Sequence, residues 1–279
     1  MEILSSSILK AEDIVFEYPN GTRALDCLSI DIEEGKKVAI LGANGAGKST
    51  LFLHFNGILQ PDEGRIQFKG ETVSYDNKFL KRLREKVGIV FQDPDMQLFS
   101  ANVFQEISFG PLNLDLSDEE VENRVYEAME VTETTDLKER PTHLLSYGQK
   151  KRISIADILA MKPEVIVFDE PTVWLDPKSS IEIVDFFNEI NKQGITVILS
   201  THNVDLAYSW ADYIYIFAEG NIISEGKPEE VFQKQDLLDT ADLIQPWIIE
   251  VYDHLIDKGV INSDTPLPNS KEELFTLIS

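Results

Sequence analysis

Residues Gly42-Ala-Asn-Gly-Ala-Gly47-Lys48-Ser49 satisfy the spacing G-x-x-x-x-G-K-[ST] at every position. The apolar run KVAIL (37–41) precedes them and STLFLHFNG (49–57) follows. A buried strand, a glycine-rich turn and a helix in that order leave the unpaired N–H groups of the helix start facing one point, which suits a phosphate. The pattern commits the chain to an α/β fold built on a phosphate-binding loop. Gly42, Asn44, Gly45, Ala46, Gly47 and Thr50 form the cradle, Lys48 reaches the β- and γ-oxygens, and the Ser49 hydroxyl is a Mg²⁺ ligand.

Three further apolar runs, VGIVF (87–91), VIVFD (165–169) and ITVILS (195–200), join KVAIL as buried parallel strands. The stretches 8–18, 28–35 and 65–69 suggest an antiparallel lobe, and YIYIFAEGNIISEG (213–226) a hairpin turning at Gly220-Asn221. Between 87–91 and 146–161 lies a mostly helical insertion. Its segment 116–130 opens on Ser117 and Glu120, spaced as a capping box, and buries Val121, Val125, Ala128 and Met129. Residues 178–194 form another helix closed by Gly194, and 237–279 two helices around a polar loop at 262–270. The expected organisation is an ATPase domain over 1–236, with a helical subdomain inserted at about 98–160, and a C-terminal helical extension over 237–279.

In VIVFDEPT (165–172) the strand delivers two acids to its carboxyl end, where open α/β sheets place ligands. Asp169 is assigned to Mg²⁺, and Glu170 to orienting and deprotonating the attacking water. His202, at the end of another buried strand, belongs to the same edge and points to γ-phosphate contact. A second feature is LLSYGQKKR (144–152), where Lys150, Lys151 and Arg152 stand in the first turn of a helix expected at 153–161. Cations are unfavourable there unless an anion docks.

Taken together, these motifs resemble the ATP-binding subunits of ABC transporters over roughly residues 8–235. The resemblance makes 42–50 the Walker A loop, 165–170 Walker B with its glutamate, and LSYGQ (145–149) the ABC signature. It makes Gln92 the Q-loop glutamine and a Mg²⁺ ligand, Leu175-Asp176-Pro177 the D-loop, His202 the switch histidine, and Tyr18 the aromatic that stacks on adenine. It implies ATP and Mg²⁺ as cofactors and a head-to-tail dimer. There Ser146, Gly148, Gln149 and Asp176 of one subunit act on the ATP held by the other. On this reading the second phosphate-binding helix end serves the partner's nucleotide, and the anion offsetting Lys150, Lys151 and Arg152 arrives only on closure. The chain departs from the commonest signature in Tyr147, where glycine is usual, and in Trp174 before the D-loop.

FQDPDMQLFSANVFQEISFGPLNL (91–114) closely resembles energy-coupling factor importers, above all the ATPases of cobalt and nickel uptake. The C-terminal tail resembles the extension that helps those ATPases dimerise. The implied function is an ATPase energising cobalt or nickel import, or the import of a vitamin or other small solute. Its partners would be a second ATPase subunit, identical or a close paralogue, and integral membrane coupling and substrate-binding components. Its place would be the cytoplasmic face of the membrane, as a peripheral protein. A net charge of −24 disfavours nucleic acid, and with it a non-transport ABC ATPase of DNA repair or translation. A phosphate-loop kinase leaves LSYGQ and His202 unexplained. The single cysteine, Cys27, fits a reducing compartment. No apolar run approaches the roughly 18 residues that span a bilayer, and MEILSSSILK carries no secretory pattern. A soluble chain that meets the membrane through partners is expected.

Overall fold

The structure, a computed structural model, describes residues 6–278. The first five residues of the MEILSSSILK stretch lie outside them. Two sheets carry the chain. Strands β1 (Ser7–Glu17), β2 (Arg23–Glu33), β4 (Glu63–Phe68) and β5 (Glu71–Thr72) form an antiparallel sheet in the order β2-β1-β4-β5. Strands β3 (Lys37–Leu41), β6 (Val87–Val90), β7 (Val165–Phe168), β8 (Thr196–Thr201), β9 (Tyr213–Ala218) and β10 (Asn221–Gly226) form the second, in the order β10-β9-β3-β8-β7-β6. Every pair in it is parallel except the β9–β10 hairpin.

The uninterrupted apolar runs have a two-sided explanation. Val38 and Ile40 of β3, with Val165 and Val167 of β7, face a core shared with the antiparallel sheet. Ala39, Leu41, Ile166 and Phe168 face a second core on the opposite side. Alternate side chains point to opposite faces of a strand, so burial on both faces demands apolar residues throughout.

Strand β2 begins earlier than the alternation in 28–35 indicates. Cys27 sits at φ 51°, and the β1–β2 register slips on the β1 side between Ala11 and Ile14 and on the β2 side between Leu28 and Leu25 and again between Leu25 and Arg23. Such irregularities put two residues opposite one and break the period-two pattern over 23–27.

The helices are α1 (Lys48–Phe55), α2 (Asn77–Lys86), α3 (Val103–Leu112), α4 (Asp118–Val131), α5 (Tyr147–Ala160), α6 (Pro177–Lys192), α7 (Val204–Trp210), α8 (Pro228–Val231), α9 (Gln235–Thr240), α10 (Trp247–Asp257) and α11 (Lys271–Leu277). Val103, Ile107, Val121, Val125, Met129, Ile153 and Ala156 give α3, α4 and α5 a core of their own. Ser117 caps α4 by accepting from the Glu120 N–H, but the Glu120 carboxylate turns to Arg124 at 2.7 Å instead of closing a box.

The full box belongs to α5. The Ser146 hydroxyl accepts from Gln149 N, and Gln149 Oε1 accepts from Ser146 N. This reciprocal cap starts the helix at Tyr147, six residues before the expected Ile153, despite a glycine in its first turn. The C-terminal segment is packed onto the second core through Leu238, Ala241, Leu243, Ile248 and Ile249. Tyr208 donates to Pro268 O, and Trp247 N to Asp205 Oδ1, each over 2.9 Å. No helix among the described residues is long and apolar enough to cross a membrane.

Candidate active site

The loop 42–47 leaves the carboxyl end of β3 and is wedged against its neighbours. A Cβ on Gly42 (φ 147°) would lie 2.4 Å from Phe217 O, and one on Gly47 (φ 109°) 2.5 Å from Ala24 O. Only glycine meets both the backbone angle and the space. Gly47 is also the N-cap of α1, so the first N–H groups of that helix open into the loop. Lys48 lies within the loop it serves. Its Nζ donates to Gly42 O (2.6 Å) and Ala43 O (3.0 Å) and stands 3.9 Å from Glu170 Oε1. Burial lowers the Lys48 pKa from its ordinary value, against the pull of Glu170 and Asp169.

Asp169 and Glu170 follow β7, and both are buried. Ser49 Oγ donates to Asp169 Oδ2 (2.6 Å) and Ser200 Oγ to Asp169 Oδ1 (2.7 Å). The Ser200 oxygen also accepts from Glu170 N over 2.9 Å. Sequence reasoning missed Ser200. It lies two residues before His202 on β8, the strand beside β7, where a hydroxyl reads as an ordinary strand residue. Glu170 adopts φ 44°, a left-handed conformation that a non-glycine residue keeps only when its surroundings impose it. Its Oε2 lies 3.1 Å from His202 Nδ1, and its Oε1 is buried without a hydrogen-bond partner. An acceptor held in place with one oxygen unspent suits a proton acceptor.

The Tyr18 hydroxyl is 3.1 Å from Thr50 Oγ1, and its ring meets Phe16 edge-on at 5.0 Å. The Gln92 side chain is exposed at the end of β6. Asp176 caps α6, accepting from Lys178 N, Ser179 N and Ser179 Oγ, bonds that lower its carboxyl pKa. A Cβ on Gly148 would meet nothing within 4 Å. Among the described residues, the hydrogen bonds of Ser146, Gln149 and Asp176 stay within their own helix starts.

One expectation is overturned. Lys150, Lys151 and Arg152 do not wait for an incoming anion. They occupy the second turn of α5, and each is already compensated. Lys150 pairs with Asp95 at 2.5 Å. Arg152 pairs with Glu133 and Glu182, both at 2.7 Å. Lys151 is wholly buried and donates to Phe91 O and Gln92 O.

A strand, glycine loop and helix bearing Lys48 and Ser49, faced by carboxylates from the next strand but one, on a parallel sheet with a three-helix insertion, define an ATPase of the ABC class. The ABC transporter family profile matches residues 25–173, and the chain belongs to that family. The energy-coupling factor transporter ATP-binding protein EcfA of Methanosphaera stadtmanae is 48% identical over 90% of both chains. EcfA of Methanococcus maripaludis is 49% identical, again over 90% of each. Among solved structures, cbiO1 of Clostridium perfringens, described as part of the ABC transporter complex cbiONQ, is 43% identical with a TM-score of 0.76, over 90% of this chain and 99% of that one. A dimeric ATP-binding cassette in a post-hydrolysis state with ADP and Pi is 27% identical with a TM-score of 0.72, over 79% and 99%. Within the family, the chain is an energy-coupling factor type ATP-binding subunit, whose ATP hydrolysis is coupled to transport.

Proposed function

We propose that the chain energises import of cobalt or nickel ions, as a peripheral protein on the cytoplasmic face of the membrane. The observation that carries the solute is the stretch 91–114, together with the likeness to a cbiONQ component. Residues 1–236 are the ATPase unit on this reading, with the insertion at about 98–160, and 237–279 the extension. The oxygens of Ser49 and Asp169 converge at 2.6 Å, a hard donor pair that fits Mg²⁺, with the Gln92 amide as a further ligand. Mg²⁺ there neutralises phosphate charge. Lys48 exchanges its two carbonyl partners for β- and γ-oxygens. Glu170 takes the proton of the attacking water on its unspent oxygen, and His202 holds the other oxygen. Tyr18 stacks on adenine, and Gly42, Asn44, Gly45, Ala46, Gly47 and Thr50 line the phosphates.

Ser146, Gly148, Gln149 and Asp176 serve the nucleotide of a second subunit, identical or a close paralogue. The open space over Gly148 supports that role. Exposed Phe99 and Phe109 pack edge to face at 4.8 Å in the segment after the Q-loop, where Met96 and Leu112 are exposed as well. An apolar patch of this kind suits a membrane component. The test is uptake of radiolabelled cobalt, nickel and vitamins into vesicles holding the chain with its membrane components. MgATP-dependent uptake of the metals alone is expected. Uptake of a vitamin but neither metal replaces the proposed solute and leaves the ATPase assignment standing.

A further inference from the structure

The Q-loop is held by the signature helix through side-chain bonds to its backbone. The Tyr147 hydroxyl donates to Gln92 O over 2.9 Å. Lys151, one turn on, donates to the same oxygen at 3.1 Å and to Phe91 O at 2.8 Å. A carbonyl oxygen has two lone pairs, so α5 fills both acceptor sites of Gln92 O. Further along, Gln97 Nε2 donates to Ser154 O at 2.9 Å, and Lys150 pairs with Asp95. The Gln92 peptide is thus fixed from the helix side, while its amide side chain stays exposed. Tyr147 is the first residue of α5 and lies between Ser146 and Gly148. Its bond therefore acts on the end of the helix itself, whereas Lys151 acts a turn away.

We propose that Tyr147 is a positioning residue that ties a chain's own nucleotide to the signature the same chain offers its partner. The proposal rests on the roles given above to Gln92, Ser146 and Gly148. When the Gln92 amide turns to the nucleotide on its own Walker A loop, the Gln92 carbonyl carries the Tyr147 hydroxyl with it. Ser146 and Gly148 are then set before the partner arrives. Closure does not have to order them, and pre-ordering strengthens association. The coupling is reciprocal: a signature seated on the partner's nucleotide steadies Gln92 on its own. Glycine at position 147 has no such tether.

The test uses the full chain carrying Glu170→Gln, with hydrogen exchange of the amides of 147–152 measured in MgATP, in MgADP and without nucleotide. The parent is expected to slow in MgATP only. Tyr147→Phe keeps the ring, removes one donor, and should reduce that slowing by roughly 3- to 10-fold, the span of one neutral hydrogen bond. Affinity for a fluorescent ATP analogue should change by no more than that factor, because the coupling is reciprocal. In a Gln92→Ala background the Phe substitution should add nothing, because both act along one path. Full MgATP-specific slowing in Tyr147→Phe overturns the proposal. So does an equal rise in exchange under all three conditions, which marks a merely structural bond. A parent with no MgATP-specific slowing overturns the signature-covering reading and this proposal with it.

Discussion

Ser49 and Asp169, 120 residues apart, meet directly: the hydroxyl donates to Oδ2 over 2.6 Å. The helix after the glycine loop and the strand end bearing the acids are thereby fastened at the point where phosphate and Mg²⁺ are read to bind. Lys48→Ala removes the buried ammonium beside Glu170, and Asp169→Asn removes the negative charge assisting that bond. Each should lower ATP turnover by at least about 100-fold, as loss of a group that stabilises transition-state charge does, with circular dichroism unchanged. Near-normal turnover in either variant contradicts the site.

Ser200 acts on both acids at once. Ser200→Ala removes the donor to Asp169 and leaves the Glu170 N–H without its acceptor. An unsatisfied buried group destabilises by about 1–3 kcal/mol, which denaturant titration would register. Turnover should fall as well, because the left-handed Glu170 backbone loses the bond that holds it. A variant as stable and as active as the parent shows that other contacts fix Glu170.

The charge of Asp157 supplies a pH signature. Burial pushes its carboxyl up to about 7, opposed by the Gln97 hydrogen bond and reinforced by Glu106 on α3. Its folded pKa exceeds the unfolded value of about 3.9. Between those two values the folded chain holds a proton that the unfolded chain has released. Stability contributed by this group is therefore complete below pH 4 and declines as pH rises to 7, at up to about 1.4 kcal/mol per pH unit. Asp157→Asn should remove that slope and melt higher than the parent at pH 8. Parallel stability curves for the two proteins contradict the assignment.

Exposure separates two neighbours in the segment beside the Q-loop. Leu98 packs against the core of the helical insertion, whereas Phe99 is 66% exposed. Phe99→Ser with Phe109→Ser should abolish solute uptake by the assembled transporter while the isolated subunit keeps its ATPase activity. Leu98→Ser should lower thermal stability as well. Equal loss of uptake and ATPase in the double variant indicates that the two rings serve the fold alone.

Short-range forces leave a mark in the sequence that long-range ones do not. The buried strands were legible because burial on both faces makes their centres continuous apolar runs, Ile89-Val90 in β6, Val165–Phe168 in β7 and Val197-Ile198-Leu199 in β8. Lys48, Ser49, Asp169 and Glu170 were legible because their chemistry fixes short spacings. The compensation of Lys150 and Lys151 was not, since their partners lie 55 to 60 residues away and several are backbone carbonyls, which no side-chain pattern records. The start of α5 was hidden by Gly148, although the Ser146 and Gln149 pair that overrides it was visible.

The packing of the C-terminal segment has a consequence for synthesis. Strands β7 and β8 lie against a core completed by Leu238, Ala241, Leu243, Ile248 and Ile249. A ribosome adding roughly 5–20 residues per second exposes Asp169, Glu170 and His202 several seconds before the last of those residues emerges. During that interval the nascent ATPase has its motif residues but one face of its sheet covered only in part, by Ile155 of α5 and Ile183, Phe187 and Ile190 of α6. Productive folding then comes late in translation, and a stall between codons 203 and 249 would release a chain with its motifs intact and a sticky flank.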